Sequence, residues 1–150
     1  MSMNPDQLRR EWVARVMEGP GLEILAVQTL RNSIMAATVM ASTSALGLMG
    51  LLSLVQLRGV TFAGVGERPA QLLLLLPLLL LALCVVEFSQ SVRLYHRCSY
   101  LVALTQTPDG QGVAARDAAT TQLLRASRLY RAGWWTFYGA MAAGACAMLV

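Results

Sequence analysis

The chain has 150 residues, of which 56% are hydrophobic and only 13% are charged, and its net charge is +4. Water-soluble domains carry about 25% charged residues, and the deficit here falls in long apolar stretches, so a water-soluble enzyme is not expected. We expect one all-α integral membrane domain over residues 1–150. It would contain about three transmembrane helices, an N-terminal amphipathic interfacial helix and a helical cytoplasmic segment.

The first predicted element is an amphipathic helix at about residues 5–18. Asn4 is placed to cap its N-terminus, and Pro5 suits the first helical position. Apolar residues then recur at helical spacing, at Leu8, Trp12, Val13, Val16 and Met17. We expect this helix to lie in the headgroup region of a bilayer, with Trp12 as an anchor. Packing of the same face on a partner protein is the alternative.

The first predicted span covers about residues 33–55, within a stretch from Leu22 to about Leu57 that contains no proline. Its small residues follow one another at intervals of four, at Ser33, Ala37, Ala41 and Ala45. Small side chains at this spacing let two helices approach closely in a membrane. This ridge is therefore predicted to be a helix-packing face.

Two further spans are predicted, at about residues 70–88 and 132–150. The second span is rich in leucine and contains Pro77, which we expect to kink it. Beyond residue 88 the helix is expected to extend out of the membrane or to bend along its surface. The third span has a belt of aromatic residues at its entry, Trp134, Trp135, Phe137 and Tyr138. It also carries a second predicted packing ridge, at Gly139, Ala143 and Ala147.

The distribution of charge predicts the orientation of the spans. All twelve basic residues are arginine, and ten of them lie before the first span or between the second and third spans. Because positive charge favours the cytoplasmic side, we expect the N-terminus and residues 89–131 in the cytoplasm and the 58–69 loop outside. The expected location is a cell inner (plasma) membrane, crossed several times, and no cleavable signal peptide is recognised.

Several stretches of the sequence are similar to one family of bacterial and plant membrane proteins. They are the run of residues 26–38, the run 40–43, the segment Arg93–His96, and Arg131 with Trp134. On these residues the chain resembles domain-of-unknown-function family 599, over roughly Arg10 to Gly144. The resemblance implies that the chain is an integral membrane protein with no assigned activity. Members of the family usually have four spans, one of which would lie N-terminal to this chain. The resemblance makes a small accessory subunit more plausible than an independent transporter.

A few polar residues are expected near the membrane boundary, where ionisable groups often have functional roles. Arg31 and Asn32 precede the first span, and Glu87 and Arg93 flank the end of the second. Arg31 is expected to reach the lipid headgroups; alternatively it pairs with Glu87 and ties the first two spans together.

His96 is the only histidine of the chain. It is a candidate contact for a haem, a quinone headgroup or a lipid, although neither a metal nor a resident cofactor is expected, since zinc needs three or four protein ligands. Anionic lipid headgroups are the expected partners of the arginines around it, and nucleic acid is not. This basic group comprises Arg93, Arg97, Arg125, Arg128 and Arg131.

No catalytic motif is recognised, so the chain is not expected to be an enzyme. The favoured function is that of a small structural or accessory subunit, which packs on other membrane proteins through its small-residue faces. The alternative is a homo-oligomeric channel or transporter for a small solute, in which Arg31 would favour anions. Its route would be lined by the hydroxyl groups of Ser33, Thr38, Ser42, Thr43 and Ser44.

Overall fold

A computed structural model describes residues 4–18, 21–57, 69–104 and 112–149, and this part of the chain contains four helices and no strand. They are α1 (Pro5–Glu18), α2 (Glu23–Leu57), α3 (Pro69–Leu104) and α4 (Gly112–Leu149). The all-α class is thereby confirmed. Nearly all of the loop predicted at 58–69 lies outside the described residues.

The helices form two compact units. Unit 1 consists of Met1–Thr38 with Gln90–Leu129, and unit 2 consists of Val39–Ser89 with Tyr130–Val150. α1 belongs to unit 1, whereas each of the three long helices is divided between the two units. The expectation of one membrane domain is not tested by this division and stays a prediction.

The N-terminus of α1 is capped as the sequence predicts. The side-chain Oδ1 of Asn4 accepts a hydrogen bond from the backbone N–H of Asp6, at 3.0 Å. The backbone carbonyl of Asn4 accepts the N–H of Leu8, also at 3.0 Å. The first of these bonds satisfies a donor that the first turn of a helix otherwise leaves unpaired, and the second is the first backbone bond of the helix itself.

The apolar face of α1 packs on the other helices of unit 1. Val13 is fully buried and Val16 is 6% exposed, in a cluster with Leu30 of α2 and Tyr95 of α3. Leu8 remains 57% exposed. Much of the face that we expected to insert among lipid headgroups is thus covered by the chain itself, and a position of α1 at a bilayer surface stays a prediction.

α3 and α4 are each one uninterrupted helix, longer than the spans predicted within them. α3 has 36 residues and includes Pro77, and α4 has 38 residues. The segment beyond residue 88 therefore continues α3, which was one of the two expected arrangements. A kink at Pro77 stays a prediction.

In unit 1, α3 and α4 run antiparallel and are joined by side-chain hydrogen bonds. The hydroxyl of Ser91 donates to the carbonyl oxygen of Ala126 at 2.9 Å, and the thiol of Cys98 donates to that of Ala119 at 3.5 Å. The donors are seven residues apart and so are the acceptors. Small residues at both positions allow the helix backbones to come close together.

The same two helices make a comparable contact in unit 2. The thiol of Cys84 lies 3.7 Å from the carbonyl oxygen of Gly133. The ring of Phe88, which is fully buried, packs over the same glycine and makes an edge contact with Tyr130, the ring centroids being 5.6 Å apart. Cys84 precedes Ser91 by seven residues, and Gly133 follows Ala126 by seven.

Two of the described helices are long and apolar enough to cross a membrane, over Ile24–Leu57 and Leu73–Ala103. Only 11% and 33% of their most apolar windows are buried, whereas the core helix of a water-soluble protein is mostly buried. The third span, predicted at 132–150, is not confirmed. This part of α4 consists largely of alanine, glycine and aromatic residues, which are less apolar than the leucines of α3.

Candidate packing groove of unit 2

Unit 2 contains an apolar groove of about 660 Å³. α2 contributes one wall, with Thr43, Gly47 and Gly50 among its residues. α4 contributes another, which includes Gly144, and α3 adds Pro77 and Leu81. A groove of this size and composition is a candidate binding surface for an apolar partner.

Hydrogen bonding within the groove is already satisfied. Thr43 has the only polar side chain among the lining residues, and its hydroxyl donates to the carbonyl oxygen of Val39 at 2.9 Å. A hydroxyl that is bonded within its own helix costs little free energy in an apolar environment. The groove therefore offers shape and apolar surface, and few polar contacts, to whatever it binds.

Three glycines line the groove, and their lack of a side chain leaves space in it. A Cβ atom added at Gly50 would meet no heavy atom within 4 Å, and one at Gly144 would lie 3.9 Å from Pro77. A Cβ at Gly47 would make an ordinary contact of 3.6 Å with Leu81. Each of these three positions therefore accepts a Cβ atom without a steric clash.

The predicted packing ridges lie mostly against the chain itself. Of the first ridge, Ala37 is fully buried, and Ser33, Ala41 and Ala45 are half-buried. Of the second, Ala147 is buried beside Val55 and Leu78, Ala143 is half-buried, and Gly139 is exposed. The exposed small residues of α2 include Gly47 and Gly50, which lie within the groove.

The arginines predicted to contact lipid headgroups are exposed. On α3 and α4 they are Arg93, Arg97, Arg125, Arg128 and Arg131. Arg128 also lies 3.4 Å from the carboxylate of Asp6 on α1. Their exposure leaves the predicted lipid contacts sterically available, and the contacts themselves stay predictions.

Arg31 and Asn32 are exposed on the part of α2 that belongs to unit 1, whereas Glu87 belongs to unit 2. Glu87 is half-buried, and its Oε2 is shielded from solvent with no hydrogen-bond partner among the described residues. The pair that we predicted between Arg31 and Glu87 stays a prediction.

His96 is exposed on α3, and its backbone carbonyl accepts the hydroxyl of Ser99 at 2.7 Å. Tyr95, its neighbour, is buried in the core of unit 1, and Tyr100 is exposed. Within the described ranges no three residues of the metal-binding types His, Cys, Asp and Glu form a group. Contact of His96 with a cofactor or a lipid stays a prediction.

The hydroxyls proposed to line a channel are largely bonded within α2. Those of Ser33, Thr38, Thr43 and Ser44 each donate to the carbonyl oxygen four residues earlier, at 2.8–3.0 Å. Ser44 is moreover fully buried. These hydroxyl groups offer only their lone pairs to a passing solute.

A seven-residue repeat on α4 was missed by the sequence reasoning, which looked only at intervals of four. Its small members are all buried: Ala119, Ala126, Gly133, Ala140 and Ala147. The buried residues Pro77, Cys84, Ser91 and Cys98 repeat at the same interval on α3. A heptad of small residues is typical of closely paired helices, so a search at this interval would have found both faces.

The described fold defines an all-helical protein with two helices that are long and apolar enough to span a membrane. The family model described as "Protein of unknown function, DUF599" matches residues 2–145. Since that match covers nearly the whole chain, the protein belongs to this family, as the resemblance implied. Comparisons with curated proteins and with solved structures found no significant match.

Proposed function

We propose that this chain is a multi-pass membrane protein that serves as a small accessory subunit. Its proposed partner is an apolar helix of another membrane protein, which packs in the groove of unit 2. The observation that carries the proposal is the groove itself, which is apolar, has glycines in two of its walls and has no unsatisfied polar side chain.

Insertion in a lipid bilayer is supported by the surface of unit 2. Among its described residues only Glu87 and Arg131 are charged. Large apolar side chains are exposed on each of its helices, with Leu46 70%, Leu79 67% and Trp135 77% accessible. Such a surface is unfavourable in water and favourable in hydrocarbon.

We further propose the topology that the arginines predict, in an inner (plasma) membrane. The N-terminus and residues 89–131 would be cytoplasmic, and α2, α3 and the second half of α4 would cross the bilayer. The second half of α4 is proposed as a span because Ala132–Leu149 contains no charged residue. Its aromatic residues would lie at the membrane–water boundary.

A partner helix suits the groove better than a polar solute does. Helices associate in lipid through close van der Waals packing, and glycines in the contact surface allow their backbones to approach. Gly47, Gly50 and Gly144 provide such a surface on two neighbouring helices. No catalytic role is part of this proposal.

A substitution that places a large side chain in the groove tests whether the groove binds a partner protein. Gly50→Leu should abolish co-purification of a second membrane protein from native membranes, since Gly50 lines the groove, and a Cβ atom there meets no heavy atom within 4 Å. Ala142→Leu is the matched control, because Ala142 is exposed on α4 and neither lines the groove nor belongs to a predicted packing ridge. Native mass spectrometry after gentle extraction reports the complex.

Loss of a hetero-complex in Gly50→Leu alone would support the accessory role. A complex that survives both substitutions would overturn the assignment of the groove, and a lone monomer in native extracts would overturn the role itself. A complex made only of copies of this chain would favour the alternative, a homo-oligomeric channel. The internally bonded hydroxyls of α2 do not favour that alternative.

A further inference from the structure

Unit 1 contains a cavity of about 210 Å³ to which all four helices contribute. Its polar lining includes Arg9 and Trp12 of α1, Thr29 and Ser33 of α2, and Tyr95 of α3. Ser127 of α4 completes it. At this volume the cavity is smaller than the sites of about 300–1,000 Å³ that hold drug-sized molecules, so it suits a small group and not a whole lipid.

Three hydroxyls of the cavity can only accept hydrogen bonds from a ligand. Thr29 donates its proton to the carbonyl oxygen of Leu25, and Ser33 donates to that of Thr29. Ser127 donates to the carbonyl oxygen of Leu123. Their oxygen lone pairs remain available, so the complementary ligand carries hydrogen-bond donors such as hydroxyl groups.

The remaining polar groups of the cavity can donate hydrogen bonds to a ligand. Within the described part of the chain, neither the Trp12 indole nor the Tyr95 hydroxyl forms a hydrogen bond with the protein. Arg9 uses Nη1 for the carbonyl oxygen of Pro5, at 3.3 Å, and for the carboxylate of Asp6, at 3.5 Å. The rest of its guanidinium group is available to an anion, which an arginine binds through paired N–H groups.

The charge of unit 1 also favours an anion. Unit 1 contains nine of the twelve arginines of the chain and six of the chain's eight acidic residues. Asp6 lies between two of these arginines, 3.5 Å from Arg9 and 3.4 Å from Arg128. One carboxylate shared by two guanidinium groups leaves a positive charge beside the cavity.

We propose that this cavity binds a glycerophosphate group, with Arg9 paired to the phosphate and the hydroxyls of α2 and α4 accepting from the glycerol. A phosphate that carries free hydroxyl groups satisfies both the donors and the acceptors of the lining. Such a group occurs on an anionic phospholipid headgroup and on soluble glycerol phosphate. The proposal does not depend on the partner proposed for the groove of unit 2.

The test uses Trp12 as a reporter in the full-length protein. The chain has three tryptophans, so Trp134→Phe with Trp135→Phe leaves Trp12 alone. Its fluorescence is followed in detergent during titration with glycerol phosphate, and in nanodiscs made with phosphatidylglycerol or with phosphatidylcholine only. We expect a saturable change with glycerol phosphate, with phosphatidylglycerol, or with both, and none with phosphatidylcholine.

Substitutions show whether the change arises in the cavity. Arg9→Gln should weaken binding about tenfold or more, through loss of a charge-assisted bond. Tyr95→Phe should weaken it about fivefold, since it removes one neutral hydrogen bond. Arg15→Gln is the control, because Arg15 is exposed on the same helix and does not line the cavity.

Saturation by the soluble compound would identify a free glycerol phosphate as a ligand, and saturation by phosphatidylglycerol alone would identify a lipid headgroup. A fluorescence change that inorganic phosphate reproduces fully, or that Arg9→Gln leaves intact, would overturn the proposal. So would the absence of any change with either ligand. Membrane insertion is measured separately, so failure here is distinguishable from failure of the proposed topology.

Discussion

At the scale of single residues, the contact between Gly133 and Phe88 is the tightest described for a glycine. A Cβ atom built at Gly133 would lie only 2.8 Å from the Phe88 ring. Because Phe88 is fully buried and also contacts Tyr130, the ring has little room to move. Glycine is thus required at residue 133 for steric reasons.

Gly133→Ala should therefore destabilise the protein by about 1–3 kcal/mol, the usual cost of overpacking a core. Gly139→Ala, on the same helix, should be neutral or stabilising by up to about 1 kcal/mol, because alanine favours the helix and its Cβ would lie 3.8 Å from Leu80. Thermal unfolding in detergent compares the two variants. Equal stability of both would contradict the close contact.

Two buried serines allow a hydrogen bond between helices to be compared with a hydrogen bond within one helix. Ser91 donates to Ala126 on the neighbouring helix, whereas Ser44 donates to Met40 within α2. Ser91→Ala should cost about 1 kcal/mol in the free energy of unfolding. Ser44→Ala should cost less, since alanine is the better helix former. Chemical denaturation of both variants provides the comparison, and a larger loss in Ser44→Ala would contradict this account.

At the scale of elements, the sequence was a good guide to where helices lie and a poorer guide to which faces meet. The capped start of α1 and the apolar stretches of α2 and α3 follow from local rules of capping and hydropathy. The pairing of Ser91 with Ala126 does not, because a spacing identifies a face and not its neighbour. The same limit applies to α1, because its amphipathic pattern does not show whether the apolar face contacts lipid or protein.

The buried position of Val13 makes α1 part of the core of unit 1. Val13→Ala should destabilise the protein by about 2 kcal/mol, from two lost methyl groups and the cavity that they leave. Leu8→Ala, at an exposed position of the same helix, should leave the stability nearly unchanged. Protease sensitivity of α1 should rise in the first variant only, and a rise in both or in neither would contradict this packing.

At the scale of the whole molecule, two kinds of surface are separated along the chain. Unit 1 carries most of the arginines and a cavity with polar groups, whereas unit 2 has exposed leucines and an apolar groove. The composition predicted this contrast, but it could not predict the groove or the cavity. Both are formed by residues that are distant in sequence, and their shapes depend on tertiary packing.

Cysteine labelling with a membrane-impermeant maleimide tests the central claim, that the apolar helices cross a bilayer, by comparing the two flanks of α2. In a background with Cys84→Ala, Cys98→Ala and Cys146→Ala, single cysteines are introduced by Gln7→Cys or Gly64→Cys. In spheroplasts, Gly64→Cys should be labelled from outside, and Gln7→Cys should be labelled only after the membrane is permeabilised. Labelling of both residues from the same side would contradict the claim.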